Sequence, residues 1–292
     1  MIAITGGSGF IGTHLVQHLQ QKKQIVLIID IAQPKANAAK FVQASILEQE
    51  KLQKAFEGCE AVVHLAASID VQASVQNPQA DFQTNAYGTL SVLEAARKAN
   101  VRKVLFACSA AVYGEPQNLP IKETHPLLPL SPYGASKLAA ESYVLLYGRL
   151  YGMKNLSLRL FNVYGPGQSS TSQYAGVITK FASAIKEGRQ PVIYGDGKQT
   201  RDFVHVKDVC EAFWLGLNKD ATGALNIGSG KETSILEVLE ALSKACGKKV
   251  QPKFLPARQG EILRSVADCS LARQKLGFEA KIDLKVGLAQ LV

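Results

Sequence analysis

The chain has 292 residues, of which 47% are hydrophobic and 20% are charged, and this composition excludes a largely disordered protein. A chain of this length forms one large domain or two closely packed ones. Its 33 lysines and arginines exceed its 24 aspartates and glutamates, and the formal net charge of +9 favours anionic partners. Because the basic residues never run longer than a pair, the pattern argues against nucleic-acid binding and favours a basic surface around a site for an anionic substrate.

Three further features narrow the class of protein. No apolar run approaches the roughly 20 residues that span a bilayer, and the glycine-broken N-terminus lacks the basic region of a signal peptide. The five cysteines are far apart and show no metal-ligand spacing, which indicates reduced thiols in a cytoplasmic protein. His14 and His18 lack an acidic or cysteine partner nearby, so we predict no metal site.

Short apolar runs alternate with amphipathic stretches through the first half of the chain. Strands are predicted at Met1–Thr5, Ile25–Asp30, Ala61–Leu65, Val104–Cys108 and Leu156–Leu160. Helices are predicted between them at Ile11–Gln21, Glu48–Phe56, Asp81–Ala99 and Pro132–Tyr151. Such alternation is typical of βαβ units and predicts an α/β fold with a doubly wound, Rossmann-type parallel sheet.

The alternation of strand and helix patterns ends after Gly165, where a turn-rich segment begins. Further elements are expected as helices at Val177–Glu187, Val206–Leu217 and Ile235–Ala245, a strand at Ala224–Ile227 and a hairpin-like turn at Gly195–Gly197. We therefore expect residues 1–165 to form the sheet domain, which also receives segments around residues 200–220. Residues 166–292 are expected to form mainly a smaller α/β substrate lobe, interleaved with the sheet domain.

A glycine-rich turn, Thr5–Gly12, follows the first strand and opens the first helix. Gly7, Gly9 and Gly12 fit the general dinucleotide fingerprint, and Gly6, Gly9 and Gly12 give a second register with uniform spacing. Glycines here let the backbone turn sharply and approach a pyrophosphate, which the positive end of the helix attracts. The sheet domain is therefore predicted to bind a dinucleotide.

Asp30 ends the second strand, 18 residues after Gly12. A carboxylate at this place accepts hydrogen bonds from the ribose hydroxyls of adenosine and repels a 2′-phosphate, which predicts NAD as the cofactor. Lys35 is close enough in sequence to leave some tolerance of NADP open.

Tyr133 and Lys137 are four residues apart in the predicted helix that starts at Pro132, and this spacing puts them on one helix face. An ammonium stabilises a nearby phenolate, so we expect Lys137 to lower the pKa of Tyr133 toward the working pH and make it a general base. Ser109 follows the apolar strand Val104–Cys108. Doubly wound sheets bind ligands at the carboxyl ends of their strands, so its hydroxyl can hydrogen-bond a substrate oxygen.

Five motifs now stand in a characteristic order along the chain. They are Gly6–Gly12, His64–Ala67, Ser109–Gly114, Tyr133–Lys137 and Arg159–Pro166. Together they resemble the extended short-chain dehydrogenase/reductase family, and within it the nucleotide-sugar epimerases of the UDP-glucose 4-epimerase type. The resemblance extends from Met1 to about residue 280.

The resemblance implies that Ser109, Tyr133 and Lys137 are the catalytic set, with Lys137 also reaching the nicotinamide ribose. Asn85 matches the family's asparagine on the cofactor side. The remaining cofactor contacts that the resemblance implies are made by Gly6, Gly9, Phe10, Ile11, Gly12, Asp30, Ser45, Ile46, Leu65, Ala66, Ala67 and Phe161.

Five residues match the family's substrate side. Asn162 corresponds to a residue that contacts the diphosphate, and Arg201 and Arg258 correspond to arginines that clamp it through paired hydrogen bonds. Glu261 stands where an acidic residue usually meets the nucleotide ribose. Ser265 falls beside the 2-position of the sugar, where bulky aromatic residues accompany enzymes limited to plain hexoses and small residues accompany tolerance of N-acetylhexosamines.

Two departures from the family pattern bear on the reaction. Ser45 replaces the aspartate that often holds adenine, so only a weaker contact is expected there. Ala110 and Ala111 stand where the related 4,6-dehydratases carry an aspartate–glutamate pair for the elimination of water. Without that acid and base, dehydration is disfavoured, and Ala110 also argues against the related decarboxylating enzymes.

The resemblance therefore implies a nucleotide-sugar 4-epimerase with resident NAD. Its substrates would be UDP-glucose and UDP-galactose, together with UDP-N-acetylglucosamine and UDP-N-acetylgalactosamine. A reductase or another epimerase of the same family with exchangeable NADPH stays open as an alternative. So does a non-catalytic NAD(P)-binding regulator, although such proteins usually lose the tyrosine or the lysine. The helices Asp81–Ala99 and Pro132–Tyr151 resemble those of a dimer's four-helix bundle, so a homodimer is expected.

Overall fold

The computed structural model describes residues 1–34, 39–168, 176–257 and 262–292. Within these ranges the strands are β1 (Ile2–Thr5), β2 (Val26–Asp30), β3 (Lys40–Gln43), β4 (Ala61–His64), β5 (Lys103–Ser109), β6 (Leu156–Leu160), β7 (Asn162–Tyr164), β8 (Val192–Tyr194), β9 (Thr200–His205), β10 (Gly223–Ile227), β11 (Glu232–Ser234) and β12 (Lys253–Leu255). The α-helices are α1 (Phe10–Gln21), α2 (Gln49–Phe56), α3 (Val71–Gln76), α4 (Pro78–Phe82), α5 (Gly88–Lys98), α6 (Pro132–Tyr151), α7 (Val177–Lys186), α8 (Val206–Asn218), α9 (Ile235–Ala245), α10 (Ser270–Leu276) and α11 (Leu284–Ala289). In the described part of the chain, no helix combines the length and the apolar character needed to cross a membrane.

The central element is a seven-stranded sheet with the order β10-β6-β5-β4-β1-β2-β3, in which every neighbouring pair is parallel. Its central strands are buried because helices cover both faces, as parallel sheets require. Ile2 and Ile4 of β1 pack into the core on one face with Leu15 of α1, whereas Ala3 packs into the core on the other face with Leu52 of α2. The prediction of an α/β, Rossmann-type doubly wound parallel sheet is confirmed.

The chain returns to this sheet after residue 200. Helix α8 packs against α1, and β10 pairs with β6 at the edge of the sheet, with Leu225 opposite Leu158. A third core lies among α7, α9 and α11 and includes Phe181, Leu239 and Leu288. These contacts fit an interleaved chain, and the proposed boundary at residue 165 stays a prediction.

The prediction of a hairpin-like turn at Gly195–Gly197 is right about the turn and wrong about the hairpin. The turn is present, with both glycines at positive φ, but β8 pairs with β12 in parallel and β9 pairs with β7 and β11. The backbone N–H of Gly195 donates to the carbonyl of Leu255, so the chain leaves β8 while it is still attached to β12. Turn residues specify a change of direction, and the pairing partner is chosen by packing elsewhere.

The single helix expected at Asp81–Ala99 is interrupted. Helix α4 ends at Phe82, a π-helical turn covers Gln83–Tyr87, and α5 follows from Gly88. A Cβ on Gly88 would lie 2.6 Å from the side chain of Ile46, so the glycine allows the helix to approach the segment between β3 and α2 closely. Turns of this wide type often occur at functional sites, and this one carries Asn85.

Candidate active site

A cavity of about 700 Å³ opens at the carboxyl ends of the parallel strands, where ligands of doubly wound sheets bind. The cavity brings together the predicted catalytic set and most of the predicted cofactor side. These residues are Gly6, Gly9, Phe10, Ile11, Gly12, Asp30, Ser45, Ile46, Leu65, Ala66, Ala67, Ser109, Tyr133, Lys137 and Phe161.

The glycine-rich turn leaves room for a ligand because its backbone is packed without side chains. Gly6 has a φ of +73°, and a Cβ there would lie 2.6 Å from the backbone nitrogen of Ala66. At Gly12 a Cβ would lie 2.2 Å from the carbonyl oxygen of Gly6. Gly9 is the N-cap of α1 and offers no side-chain cap, so the first N–H groups of the helix can serve a phosphate. The turn therefore fits the pyrophosphate of a dinucleotide.

Asp30 is held in place by two backbone groups. Its Oδ2 accepts a hydrogen bond from the N–H of Ser8 at 3.0 Å, and its Oδ1 accepts one from the N–H of Ala32 at 3.0 Å. Ser8 Oγ also donates to the carbonyl of Ala32 at 2.8 Å, which ties the glycine-rich turn to the end of β2. The carboxylate is fixed at the cavity edge with acceptor capacity left for ribose hydroxyls.

Ser45 lines the same part of the cavity, but its polar groups already serve the start of α2. Its N–H donates to Oε2 of Glu48 at 2.6 Å, and its Oγ accepts from the N–H of Leu47 at 3.2 Å. Ser45 and Ile46 therefore contribute mainly shape and apolar surface on the adenine side, in line with the lost carboxylate.

The three catalytic candidates meet where α6 begins against the end of β5. The Oγ of Ser131 caps α6 by accepting from the N–H of Gly134 at 3.1 Å, which fixes Tyr133 in the first turn. A Cβ on Gly134 would lie 2.7 Å from the carbonyl oxygen of Ala111, so this glycine lets the helix approach the turn after Ser109. The Tyr133 hydroxyl then hydrogen-bonds the side chain of Ser109.

Lys137 follows Tyr133 by one helical turn and is only 3% exposed. Its Nζ lies 4.2 Å from the centre of the Phe106 ring, a cation–π contact that partly replaces the lost water. Burial lowers the pKa of Lys137 to about 8 because water no longer stabilises the ammonium.

Burial acts on Tyr133 in the opposite direction. It raises the pKa of the phenol to about 12, and the hydrogen bond with Ser109 offsets only part of this rise. The expectation that Lys137 brings the pKa of Tyr133 toward the working pH is wrong. Desolvation of the phenolate outweighs the hydrogen bond with Ser109, and the nearby carboxylate of Asp81 raises the pKa further, so positive charge beside the phenol is needed to lower its pKa toward neutral pH.

Asn85 lies behind the cavity wall and is 1% exposed. Its Oδ1 accepts from the N–H of Ser68 at 2.8 Å, and its Nδ2 donates to the carbonyl of Ser68 at 2.9 Å and to Asp81 at 3.0 Å. The structure thus places this residue as a support for the loop after β4, whereas its neighbour Thr84 lines the cavity.

Two buried groups behind the cavity were not given roles from the sequence. His64 lies between Thr5 at 2.7 Å and Thr89 at 3.0 Å, and burial lowers the pKa of its imidazole to about 3. Thr89 Oγ1 also hydrogen-bonds the carbonyl of Asn85 at 2.6 Å. Asp81 is the second group, and no sequence signal marks it because it lies in a short helix whose packing partner is more than fifty residues away.

The predicted substrate residues lie on the lobe side. Asn162 begins β7 and pairs with Phe203 of β9, the strand that carries Arg201. Ser265 is buried in the segment before Ala267. Asn162, Arg201 and Ser265 do not line the cavity within the described ranges. Arg258 and Glu261, like Lys35, lie outside the described residues.

The two N-terminal histidines, which were considered as a metal-binding pair, contact different parts of the protein. His14 Nε2 lies 2.8 Å from the carbonyl oxygen of Pro166, and His18 Nε2 lies 3.1 Å from a carboxylate oxygen of Glu211. Among the residues that the structure describes, no group of three or more His, Cys, Asp or Glu side chains could hold a metal ion.

The position of Asp30 predicts a preference between cofactors. Cofactor-stripped protein should bind NAD at least about tenfold more tightly than NADP, because a 2′-phosphate beside a carboxylate costs at least about 1.4 kcal/mol. Titration calorimetry with both cofactors measures the ratio. Asp30→Asn removes the charge and should narrow the ratio, whereas equal affinities in the wild type would show that a nearby base offsets Asp30.

The comparisons with known proteins agree with this geometry. The family model for the NAD dependent epimerase/dehydratase family matches residues 2–228. A UDP-glucose 4-epimerase from Mycolicibacterium smegmatis is 38% identical over 303 residues, covering 99% of this chain and 96% of the relative.

Solved structures extend the likeness to the fold. A UDP-N-acetylglucosamine 4-epimerase from Methanobrevibacter ruminantium superimposes with a TM-score of 0.94 at 37% identity, over 99% of this chain and 96% of that chain. A UDP-glucose 4-epimerase from Thermus thermophilus in complex with NAD gives a TM-score of 0.91 at 36% identity, over 99% and 97%. The resemblance inferred from the motifs is confirmed, and the chain belongs to the NAD dependent epimerase/dehydratase family.

Proposed function

We propose that this protein is a nucleotide-sugar 4-epimerase that interconverts UDP-glucose and UDP-galactose. The observation that carries the proposal is the meeting of Ser109, Tyr133 and Lys137 in one cavity with the glycine-rich turn. The relatives named above act on UDP-glucose and UDP-N-acetylglucosamine, which supports the same class of substrate here.

The residues of the site divide the reaction between them. NAD, when bound, supplies the hydride acceptor for C4 of the sugar and a positively charged nicotinamide ring. Positive charge beside Tyr133 lowers the pKa of its phenol, and the ammonium of Lys137 acts in the same direction. Tyr133 then takes the proton of the sugar 4-hydroxyl, while Ser109 hydrogen-bonds the 4-oxygen.

Epimerisation also requires that the oxidised sugar stays in the site while it turns over. Asn162 and Arg201 lie on neighbouring strands of the lobe, and we assign them, together with Arg258, to the diphosphate. A diphosphate held at one end retains the 4-keto sugar while its other face is presented for the return of the hydride. The reaction involves no net oxidation, so the cofactor is resident.

The two alternatives are weaker on specific grounds. A reductase with exchangeable NADPH would meet the fixed carboxylate of Asp30 at the ribose. A non-catalytic NAD(P)-binding regulator would not need Ser109, Tyr133 and Lys137 in contact range. Dehydration remains disfavoured because the short helical turn after Ser109 offers Ala110 and Ala111 in place of an acid and a base.

The acetylated sugars form the second part of the proposed substrate range. Ser265 lies between two anchored positions, because the carbonyl of Leu263 accepts from the N–H of Thr200 at 2.9 Å and the N–H of Ala267 donates to Asp202 at 3.0 Å. The family resemblance puts this residue beside the 2-position of the sugar, where a small side chain would leave room for an acetamido group. We therefore propose turnover of UDP-N-acetylglucosamine and UDP-N-acetylgalactosamine as well.

We further propose a homodimer that joins through α6 and the region before α5. Tyr143, Leu146 and Leu150 are exposed and follow helical spacing along one side of α6. Phe82 and Tyr87 are also exposed, and both lie in the segment just before α5. Helix α6 packs against α4 and the π-helical turn, so these exposed apolar side chains lie on neighbouring elements, as is typical of an interaction site.

The compartment is a separate part of the proposal. All five cysteines are free thiols in the structure. Free, mostly buried thiols suit a reducing compartment, and they support a cytoplasmic protein.

Tyr133→Phe tests the catalytic assignment. The variant should keep the fold and bind NAD, but turnover of UDP-glucose should fall by at least about a hundredfold, because general-base catalysis contributes about 10²–10⁴. Product is measured by NMR of the sugar anomeric signals without added cofactor. Tyr151→Phe, on the exposed last turn of the same helix, is the matched control and should keep the wild-type rate. A Tyr133→Phe variant as fast as the wild type would remove Tyr133 from the mechanism.

Ser265→Tyr tests the substrate range. The larger side chain should suppress turnover of the acetylated pair by at least about tenfold while UDP-glucose and UDP-galactose are still converted, because steric exclusion discriminates by rejection. Ser265→Ala is the control of similar size and should convert both pairs. If Ser265→Tyr lowers turnover of both pairs of sugars equally, or if the wild type does not convert acetylated sugars, the assignment of Ser265 is wrong.

The dimer has its own test. Light scattering should give twice the 31.5 kDa of one chain, and the double variant Leu146→Glu, Leu150→Glu should give a folded monomer. Ile25→Glu places one such charge on an apolar position that is as exposed as Leu150 but lies elsewhere, and it should leave the dimer intact. A wild-type monomer at micromolar concentration would contradict the proposed interface.

A further inference from the structure

Asp81 is a buried carboxylate attached to the active-site helix. It lies in α4, is 3% exposed, and accepts hydrogen bonds from Ser136 Oγ at 2.5 Å and from Asn85 Nδ2 at 3.0 Å. Ser136 directly precedes Lys137 in α6, and Asp81 interacts electrostatically with that lysine. A carboxylate that is removed from water requires a compensating cation. A buried ammonium likewise requires a compensating anion.

The other anionic candidate beside Lys137 is already paired. Glu141, one turn further along α6, forms a buried salt bridge with Arg159 at 2.6 Å and also accepts from Ser157 Oγ at 2.7 Å. Its charge is balanced by Arg159, and its effect on Lys137 has the same direction as that of Asp81 but is smaller.

The remaining titratable groups that face Lys137 carry no charge at neutral pH. Burial raises the pKa of the Cys108 thiol on β5, so the thiol stays protonated. On β4, burial lowers the pKa of His64 to about 3, so its imidazole is neutral. Tyr133, on the same helix, is a neutral phenol because burial raises its pKa to about 12. Among the described residues, Asp81 is thus the buried carboxylate near Lys137 that has no salt-bridge partner of its own.

We propose that Asp81 is a positioning residue whose charge keeps Lys137 an ammonium in the closed active site. It is not among the residues that line the cavity, and it acts on Lys137 through its electric field. This inference rests on the proposed function, because the charge of Lys137 affects turnover only if Tyr133 and Lys137 perform the chemistry. The direction of the electrostatic effect agrees, since Asp81 raises the pKa of Lys137 against the lowering by burial.

Asp81→Asn can remove the charge and keep the hydrogen bonds. In the wild type, Ser136 Oγ can donate to Asp81 or to the carbonyl of Tyr133 at 3.0 Å. With asparagine, the new Nδ2 can donate to Ser136 Oγ, whose proton turns to Tyr133, while the new Oδ1 still accepts from Asn85. Every partner stays satisfied, so the substitution isolates the charge.

The pH dependence of turnover distinguishes an electrostatic role of Asp81 from a purely structural one, because loss of a structural contact would not shift the pH midpoints. Removal of an anion lowers the pKa of every group that interacts with it, so both limbs of the kcat/KM profile for UDP-glucose should move to lower pH. We expect a shift of at least about half a pH unit for Asp81→Asn, which corresponds to about 0.7 kcal/mol of charge–charge interaction. Ser136→Ala removes the hydrogen bond without a charge, and its profile should keep the wild-type midpoints whatever its rate.

A second readout is independent of turnover. In protein labelled with ¹³C at lysine Cε, and assigned with Lys137→Arg, the Lys137 signal should titrate near pH 8 in the wild type and at lower pH in Asp81→Asn. Asp81→Ser is a second variant without the charge, should the asparagine variant not fold. Identical titrations in wild type and variants, or an equal shift in Ser136→Ala, would overturn the inference. A wild type that converts no UDP-sugar would overturn the proposed function instead, and the NMR titration would still decide the role of Asp81.

Discussion

The close approach of α6 to the end of β5 is the contact on which the site depends. Because Gly134 has no side chain, the helix lies against the carbonyl of Ala111, and Tyr133 reaches Ser109 from the first turn. The cap from Ser131 fixes where the helix begins, so the helical repeat alone then sets the position of Lys137. Any larger residue at 134 would move all three catalytic groups relative to one another.

The same close packing of α6 against β5 also removes water from Tyr133 and Lys137 and so affects their charge. Exclusion of water pushes Tyr133 and Lys137 toward their neutral forms, whereas the proposed chemistry needs a phenolate and an ammonium. The charge of Asp81 counters this effect for the lysine but raises the pKa of Tyr133 further, and the positive charge of a nicotinamide ring would counter that rise for the tyrosine.

Much of the fold could be predicted because local patterns determine it. The five strands predicted before residue 165 agree with the structure to within one residue at each end, since apolar runs between amphipathic helices leave little choice. Strand β3 was missed because Lys40–Gln43 is a half-exposed edge strand without an apolar run. The π-helical turn and Asp81 were missed because they depend on contacts with Ile46 and Ser136, distant in sequence. In the site, the strand–turn–helix context identified the cavity residues, but the balance between burial and charge at Tyr133 needed the three-dimensional surroundings.

The late return of the chain to the sheet has a consequence for synthesis of the protein. Strand β6 pairs with β5 on one side, but its other side is filled by β10, which lies more than sixty residues further along the chain. While the lobe is being translated, β6 is an open edge of the sheet, with unpaired backbone groups that can bind other strands. Translation at about 5–20 residues per second leaves that edge uncovered for several seconds. The emerging chain is thus most vulnerable to aggregation just before residues 223–227 leave the ribosome.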